Sequence, residues 1–192
     1  LHGPGSDITV AHCTFEHVHM PVRLIPLKVG DVLDRIVIRD NVFSHTDYGA
    51  VEIHDGGRWG DEFPPGRLLD VKVLRNRLDH IGLRPHRFSR GHALVVNYAQ
   101  TLEIAGNMGE RLYGSGVNVV GGKSQFGRQD VPLTRILIHH NRMVDTLLNV
   151  NDYGGIETWQ GGPAYVYNNV SGNPGGYQHW KHKLNPDRPG GT

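Results

Sequence analysis

A short phrase returns six times along this chain, and the spacing of its copies leaves few folds open. Each copy is a strand-like run with alternating apolar residues that ends at Asn, with a further apolar residue within two positions. The runs are Ile36-Val37-Ile38 before Asn41, Val71-Lys72-Val73-Leu74 before Asn76 and Leu102-Glu103-Ile104 before Asn107. Ile136-Leu137-Ile138 before Asn141 and Tyr165-Val166-Tyr167 before Asn169 follow, while Ile8-Thr9-Val10 leads to Cys13 in the place of Asn. The intervals from Cys13 to Asn169 are 28, 35, 31, 34 and 28 residues, one period with loop insertions. A period near thirty in a chain of 192 residues means stacked units that bury a continuous core only together.

Helical periodicity is almost absent, so each unit is built from strands and turns. After each Asn corner, a Gly-rich approach leads into a further strand: Val51-Glu52-Ile53-His54, Ala93-Leu94-Val95-Val96, Val117-Asn118-Val119-Val120, Ile156-Glu157-Thr158-Trp159 and Tyr177-Gln178-His179-Trp180. The physical reading is a coil of two or three short strands per turn, with parallel strands about 4.8 Å apart and Val, Ile and Leu filling the bore. Asn suits the corner because it tolerates the left-handed conformation of a tight bend, and its amide can bond to the Asn of the next turn. The five Asn corners in register resemble those of the right-handed parallel β-helix superfamily, the fold of pectate lyases, polygalacturonases and many secreted glycoside hydrolases. The resemblance covers roughly residues 6–180. The expectation is an all-β, right-handed parallel β-helix of about six turns, a single domain over residues 1–192 with corners near Cys13, Asn41, Asn76, Asn107, Asn141 and Asn169. A leucine-rich solenoid lacks its LxxLxL phrase here, and an Ig-type sandwich would not repeat one corner residue at this interval. With no capping helix visible at either end, the sequence reads as a piece of a longer coil.

Composition narrows the function. Lys and Arg total 20 against 19 Asp and Glu, so no global field favours nucleic acid or an anionic surface. No apolar run is long enough to span a bilayer as a helix. One Cys excludes an internal disulfide framework and a multi-Cys metal site. The expected partner is a polysaccharide or oligosaccharide, with no nucleic acid and no membrane insertion; the resemblance implies a secreted or periplasmic setting.

On a pleated strand, residues flanking the inward ones point to solvent. Reading the later strands together gives an outward column of Glu52, Leu94, Asn118, Glu157 and Gln178, beside a second of His54, Val96, Val120, Trp159 and Trp180. Sites repeating at strand spacing suit a linear polymer, because a sugar unit advances about one strand separation. Within this face, Asp47-Tyr48-Gly49-Ala50-Val51-Glu52 is echoed by Asp152-Tyr153-Gly154-Gly155-Ile156-Glu157, an acid at the bend five residues before an acid on the strand. Paired carboxylates are what glycoside hydrolysis requires, and Asp152 with Glu157 is the preferred catalytic pair. Glu52 and Glu157 lie three turns apart, roughly 14 Å at strand spacing, which is too far for a pair. Glu52, His54, His92, Asn118, Trp159, Gln178 and Trp180 are the expected substrate contacts. The Trp faces suit sugar rings.

Two other classes stay open. A polysaccharide lyase acting on a uronate would need a base, for which His92, Tyr98, Arg84 or Arg87 is available, and the basic loop Arg84-Pro85-His86-Arg87-Phe88-Ser89-Arg90 would suit an acidic sugar. A non-catalytic glycan-binding or adhesion module would keep the groove without turnover. No cofactor and no metal is expected: the 13 His are scattered, and His17, His19, His139 and His140 lack an HExxH phrase or a Cys partner.

Overall fold

The computed structural model describes residues 1–56, 66–84, 91–120, 135–150, 153–159 and 164–175. These residues form a parallel β-solenoid, with no helix among them. The first turn carries β1 (Gly5–Ala11), β2 (Thr14–Glu16) and β3 (Val22–Leu24), and the second β4 (Asp31–Arg39), β5 (Val42–Thr46) and β6 (Val51–His54). The third has β7 (Gly66–Leu74), β8 (Arg77–Ile81) and β9 (Leu94–Asn97); the fourth has β10 (Ala99–Ala105), β11 (Met108–Leu112) and β12 (Val117–Val120). The fifth has β13 (Arg135–His139), β14 (Arg142–Val144) and β15 (Ile156–Trp159), and a sixth begins with β16 (Ala164–Tyr167) and β17 (Val170–Gly172). Five turns are therefore complete, slightly fewer than the six expected. Equivalent strands pair in parallel into sheets of six, six and five strands.

The alternating pattern explains the core. In the first sheet Ile36, Val71, Leu102 and Ile136 stack in register, as do Ile38, Val73, Ile104 and Ile138, all at most 3% exposed. The second sheet contributes Phe15 and Phe43, parallel rings 5.1 Å apart, followed by Leu78 and, one turn further on, Gly109. A Cβ on Gly109 would meet the Met143 sulfur at 2.7 Å and Leu112 Cδ1 at 2.9 Å, so these side chains would have to shift to admit one.

The corner between the first two sheets differs from expectation in one instructive way. The left-handed residue is the one before Asn: His12, Asp40, Arg75, Gly106, His140 and Asn168 have φ between 52 and 67°. Asn itself turns inward and is buried at Asn41, Asn76, Asn107 and Asn141. Its Oδ1 accepts both the backbone N–H and the side-chain N–H of the preceding corner: Asn41 N and Nδ2 donate to Asn76 Oδ1 at 3.0 Å each. Asn76 in turn donates through N and Nδ2 to Asn107 Oδ1 at 2.9 and 3.0 Å, and also through Nδ2 to the Ile38 carbonyl. The pattern continues through Asn107 and Asn141 to Asn169. Asn is required here for its amide, which satisfies buried backbone groups that the bend takes out of the sheets.

Replacing Asn76 by Ala leaves several buried donors and acceptors without partners, at about 1–3 kcal/mol each. Urea denaturation should report a loss of about 3–5 kcal/mol. Cys13→Asn, at the exposed end of the column, should leave stability unchanged or raise it by up to about 1 kcal/mol. An Asn76→Ala protein as stable as the parent would remove the amide column from the account of the fold.

Candidate functional site

The outer face of the third sheet is where the sequence places substrate, and its register settles which residues share a column. Arg23 pairs with Glu52, Glu52 with Val95, Val95 with Asn118 and Asn118 with Glu157. The neighbouring column runs His54, Asn97, Val120, Trp159. The expected positions of Leu94 and Val96 are corrected: both point inward and are fully buried, and Val95 and Asn97 take the outer places. The strand of the third turn starts one residue later than read, because the insertion preceding it shifts the alternation, and a one-residue shift exchanges the two faces. Glu52 and Glu157 are three strand steps apart, as expected.

This face is not uniformly open. Glu52 is held by Arg23, with Nε donating to Oε2 at 2.6 Å. His54 Nδ1 accepts the Gly56 N–H at 3.0 Å. Asn118 and Val120 on the fourth turn are 7% and 9% exposed, so Asn118 is not the open surface contact expected. Trp159, 44% exposed, presents its ring on the fifth turn. Glu157 sits two residues before it on β15, half-buried, and its Oε2 accepts the Gly154 N–H at 3.0 Å. The carboxylate is thus turned back over the Gly approach of its own strand. Asp152, Gln178 and Trp180 lie outside the described residues. In the echo phrase, Asp47 is engaged by Arg84 at 2.8 Å and faces His19 at 3.7 Å. Asp47 and Glu52 are thus engaged by different arginines, Arg84 and Arg23.

His92 is not available as a substrate contact or a lyase base. It is 6% exposed, its Nδ1 accepts the Ser115 N–H at 3.0 Å, and the Tyr153 ring stands edge-on to it at 4.7 Å. The strands approach closely here: a Cβ on Gly49 would lie 2.7 Å from the His92 carbonyl. Tyr98 is also buried, at 8% exposure.

Sequence reading missed the outer face of the second sheet. A cavity of about 330 Å³ opens there across four turns, over the Gly109 position, lined by Val42, Arg77, Asp79, Met108, Glu110 and Arg142 among others. Asp79 and Glu110 are neighbours on adjacent strands. Arg111 holds them, its Nη2 lying 2.6 Å from Asp79 Oδ1 and 3.6 Å from Glu110 Oε1. Arg77 and Arg142 make no ion pair among the described residues. Beyond this cavity runs a second left-handed corner, His17, His45, His80, Arg111, Asp145 and Asn173, with φ between 50 and 56°. Each lies four residues after its corner residue, Cys13 for His17 and Asn for the other five, and that fixed offset is the signal that could have found the column.

No protein-family model, curated protein or solved structure matches this chain. Among the described residues, no helix is long and apolar enough to cross a membrane.

Burial lowers the His92 pKa from 6.5 to about 4. Between these values the unfolded chain binds a proton that the folded one does not, so His92 makes stability fall as pH drops through that window and leaves it unaffected above. Charging the buried imidazole costs on the order of 3 kcal/mol. Denaturation midpoints from pH 7 to 4 should show a shallower slope for His92→Gln than for the parent; equal slopes would contradict a buried, neutral imidazole.

Proposed function

We propose that the chain is a carbohydrate-active β-solenoid, of the right-handed pectate-lyase-like type and secreted or periplasmic, that hydrolyses an extended glycan with Asp152 and Glu157. The observation that supports this reading is the direction of Glu157. Its carboxylate bonds to the Gly154 N–H, two residues from position 152, on an outer face beside the exposed ring of Trp159. In this reading the two acids act on one stretch of bound sugar. One carboxylic acid protonates the leaving glycosidic oxygen, and the other carboxylate activates water or attacks the anomeric carbon. Trp159 offers an apolar face to a sugar ring.

Reducing-sugar release from a panel of plant, algal and bacterial polysaccharides tests this. Asp152→Asn and Glu157→Gln should each lose about 10²–10⁴-fold in turnover while glycan binding, followed by Trp fluorescence, persists. Products absorbing in the ultraviolet from a new double bond would assign a lyase instead. Binding without turnover in the parent would make the chain a glycan-binding module.

The cavity on the second sheet favours a second reading, the binding of an acidic glycan without cleavage. Arg77 and Arg142 stand two strand steps apart on either side of Met108, about 10 Å at strand spacing, and guanidinium recognises carboxylate in a planar fork. Arg77→Ala/Arg142→Ala should then weaken binding to polygalacturonate at least tenfold, in a salt-sensitive manner, and leave a neutral glycan unaffected. An unchanged affinity for both would discard this reading.

A further inference from the structure

The second left-handed corner brings together a ligand set that does not depend on glycan chemistry. His17 and His45 occupy the same corner position on the first two turns, their rings 5.2 Å apart. Glu16, the last residue of β2, lies beside His17. One ligand atom from each of Glu16, His17 and His45 falls within 4.8 Å of the others. We propose that these three side chains bind a first-row divalent transition ion of the Zn²⁺ type, with water completing the coordination.

Four observations carry this. The His17 Nε2 to Glu16 Oε1 distance is 3.8 Å, too long for a hydrogen bond. It is close to the gap between two ligands that each sit about 2.0–2.2 Å from a common ion. The ring of His45 makes no hydrogen bond among the described residues, and its Nδ1 is enclosed without a partner. A buried unpaired ring nitrogen is costly unless something occupies it. The ring is also held in place: His80 stacks on it at 4.6 Å and 8°. His80 Nδ1 is itself engaged by Arg111 Nε at 3.3 Å beside Asp79; its ring forms a wall behind His45, and it is not one of the three residues whose ligand atoms converge. Finally, His17 and Glu16 are more than half exposed, which leaves an entry path and open positions. Two imidazoles and a carboxylate suit Zn²⁺, Co²⁺, Ni²⁺ or Cu²⁺, and disfavour Mg²⁺ and Ca²⁺, which take oxygen ligands.

The test uses tag-free protein freed of metal by a chelator. Calorimetric titration with Zn²⁺ should show one ion per chain, and Co²⁺ should give visible absorption bands displaced by Zn²⁺. His17→Asn, His45→Asn and Glu16→Gln should each weaken Zn²⁺ at least tenfold; Asn keeps the left-handed corner accessible, so the metal-free melting temperature should stay near that of the parent. His80→Asn should retain the stoichiometry. His139 and His140, whose Nδ1 atoms are 2.8 Å apart, provide the competing site: His139→Asn/His140→Asn should bind Zn²⁺ as the parent does. No binding below millimolar Zn²⁺, binding that survives His17→Asn/His45→Asn, or binding abolished by the His139/His140 change would each overturn the proposal.

Discussion

The column of buried corner amides is the constraint on which the rest of the molecule hangs. A solenoid of this kind must bend its backbone sharply once per sheet, and every bend removes peptide groups from the ladders that would otherwise pair them. Along the first corner each Asn oxygen accepts two donors from the turn before, and each Asn nitrogen reaches both the next Asn and a carbonyl deeper in the coil. The bend is thereby made at nearly constant geometry in every turn. That constancy sets the register of the first two sheets, whose strands then stack Ile on Val on Leu with almost no exposed inner surface.

From this follows the division between what varies and what does not. The path from the first sheet through the corner to the second is nearly uniform, with the second left-handed residue always four positions after the first corner. The path from the second sheet to the third is not. β3 begins nine residues after Cys13, whereas β9 begins eighteen after Asn76. Insertions therefore gather around the third sheet, beside the very face on which Glu157 and Trp159 lie. The uniform faces carry columns of like position, and the variable one carries the local approaches that aim a carboxylate.

This difference also explains how much was legible beforehand. The coil, its parallel pairing and five of its corners could be read because Asn recurs at a regular interval with alternating apolar residues before it. Of the two causes expected for Asn, the amide bond to the next corner holds, whereas the left-handed angle belongs to the preceding residue, where His, Asp, Arg, Gly and Asn all occur, so no single identity marks it. Leu94 was placed on the wrong face because a long insertion hides the phase of the alternation. His92 sat in an attractive sequence context and proved to be enclosed, since burial depends on what crosses over a strand rather than on the strand's own pattern. The imidazoles of His17, His45 and His80 looked scattered along the chain and are adjacent in space, because neighbours in a solenoid are a full turn apart in sequence.

The amide column also has a direction. Asn41, Asn76, Asn107 and Asn141 each present their oxygen toward the preceding turn and their N–H groups toward the following one, so the two faces of each turn are chemically unlike. Cys13 joins this column through its backbone N–H, which donates to Asn41 Oδ1, and has no amide oxygen of its own. At that one corner the column can pass its pattern on in one direction and cannot receive it from the other.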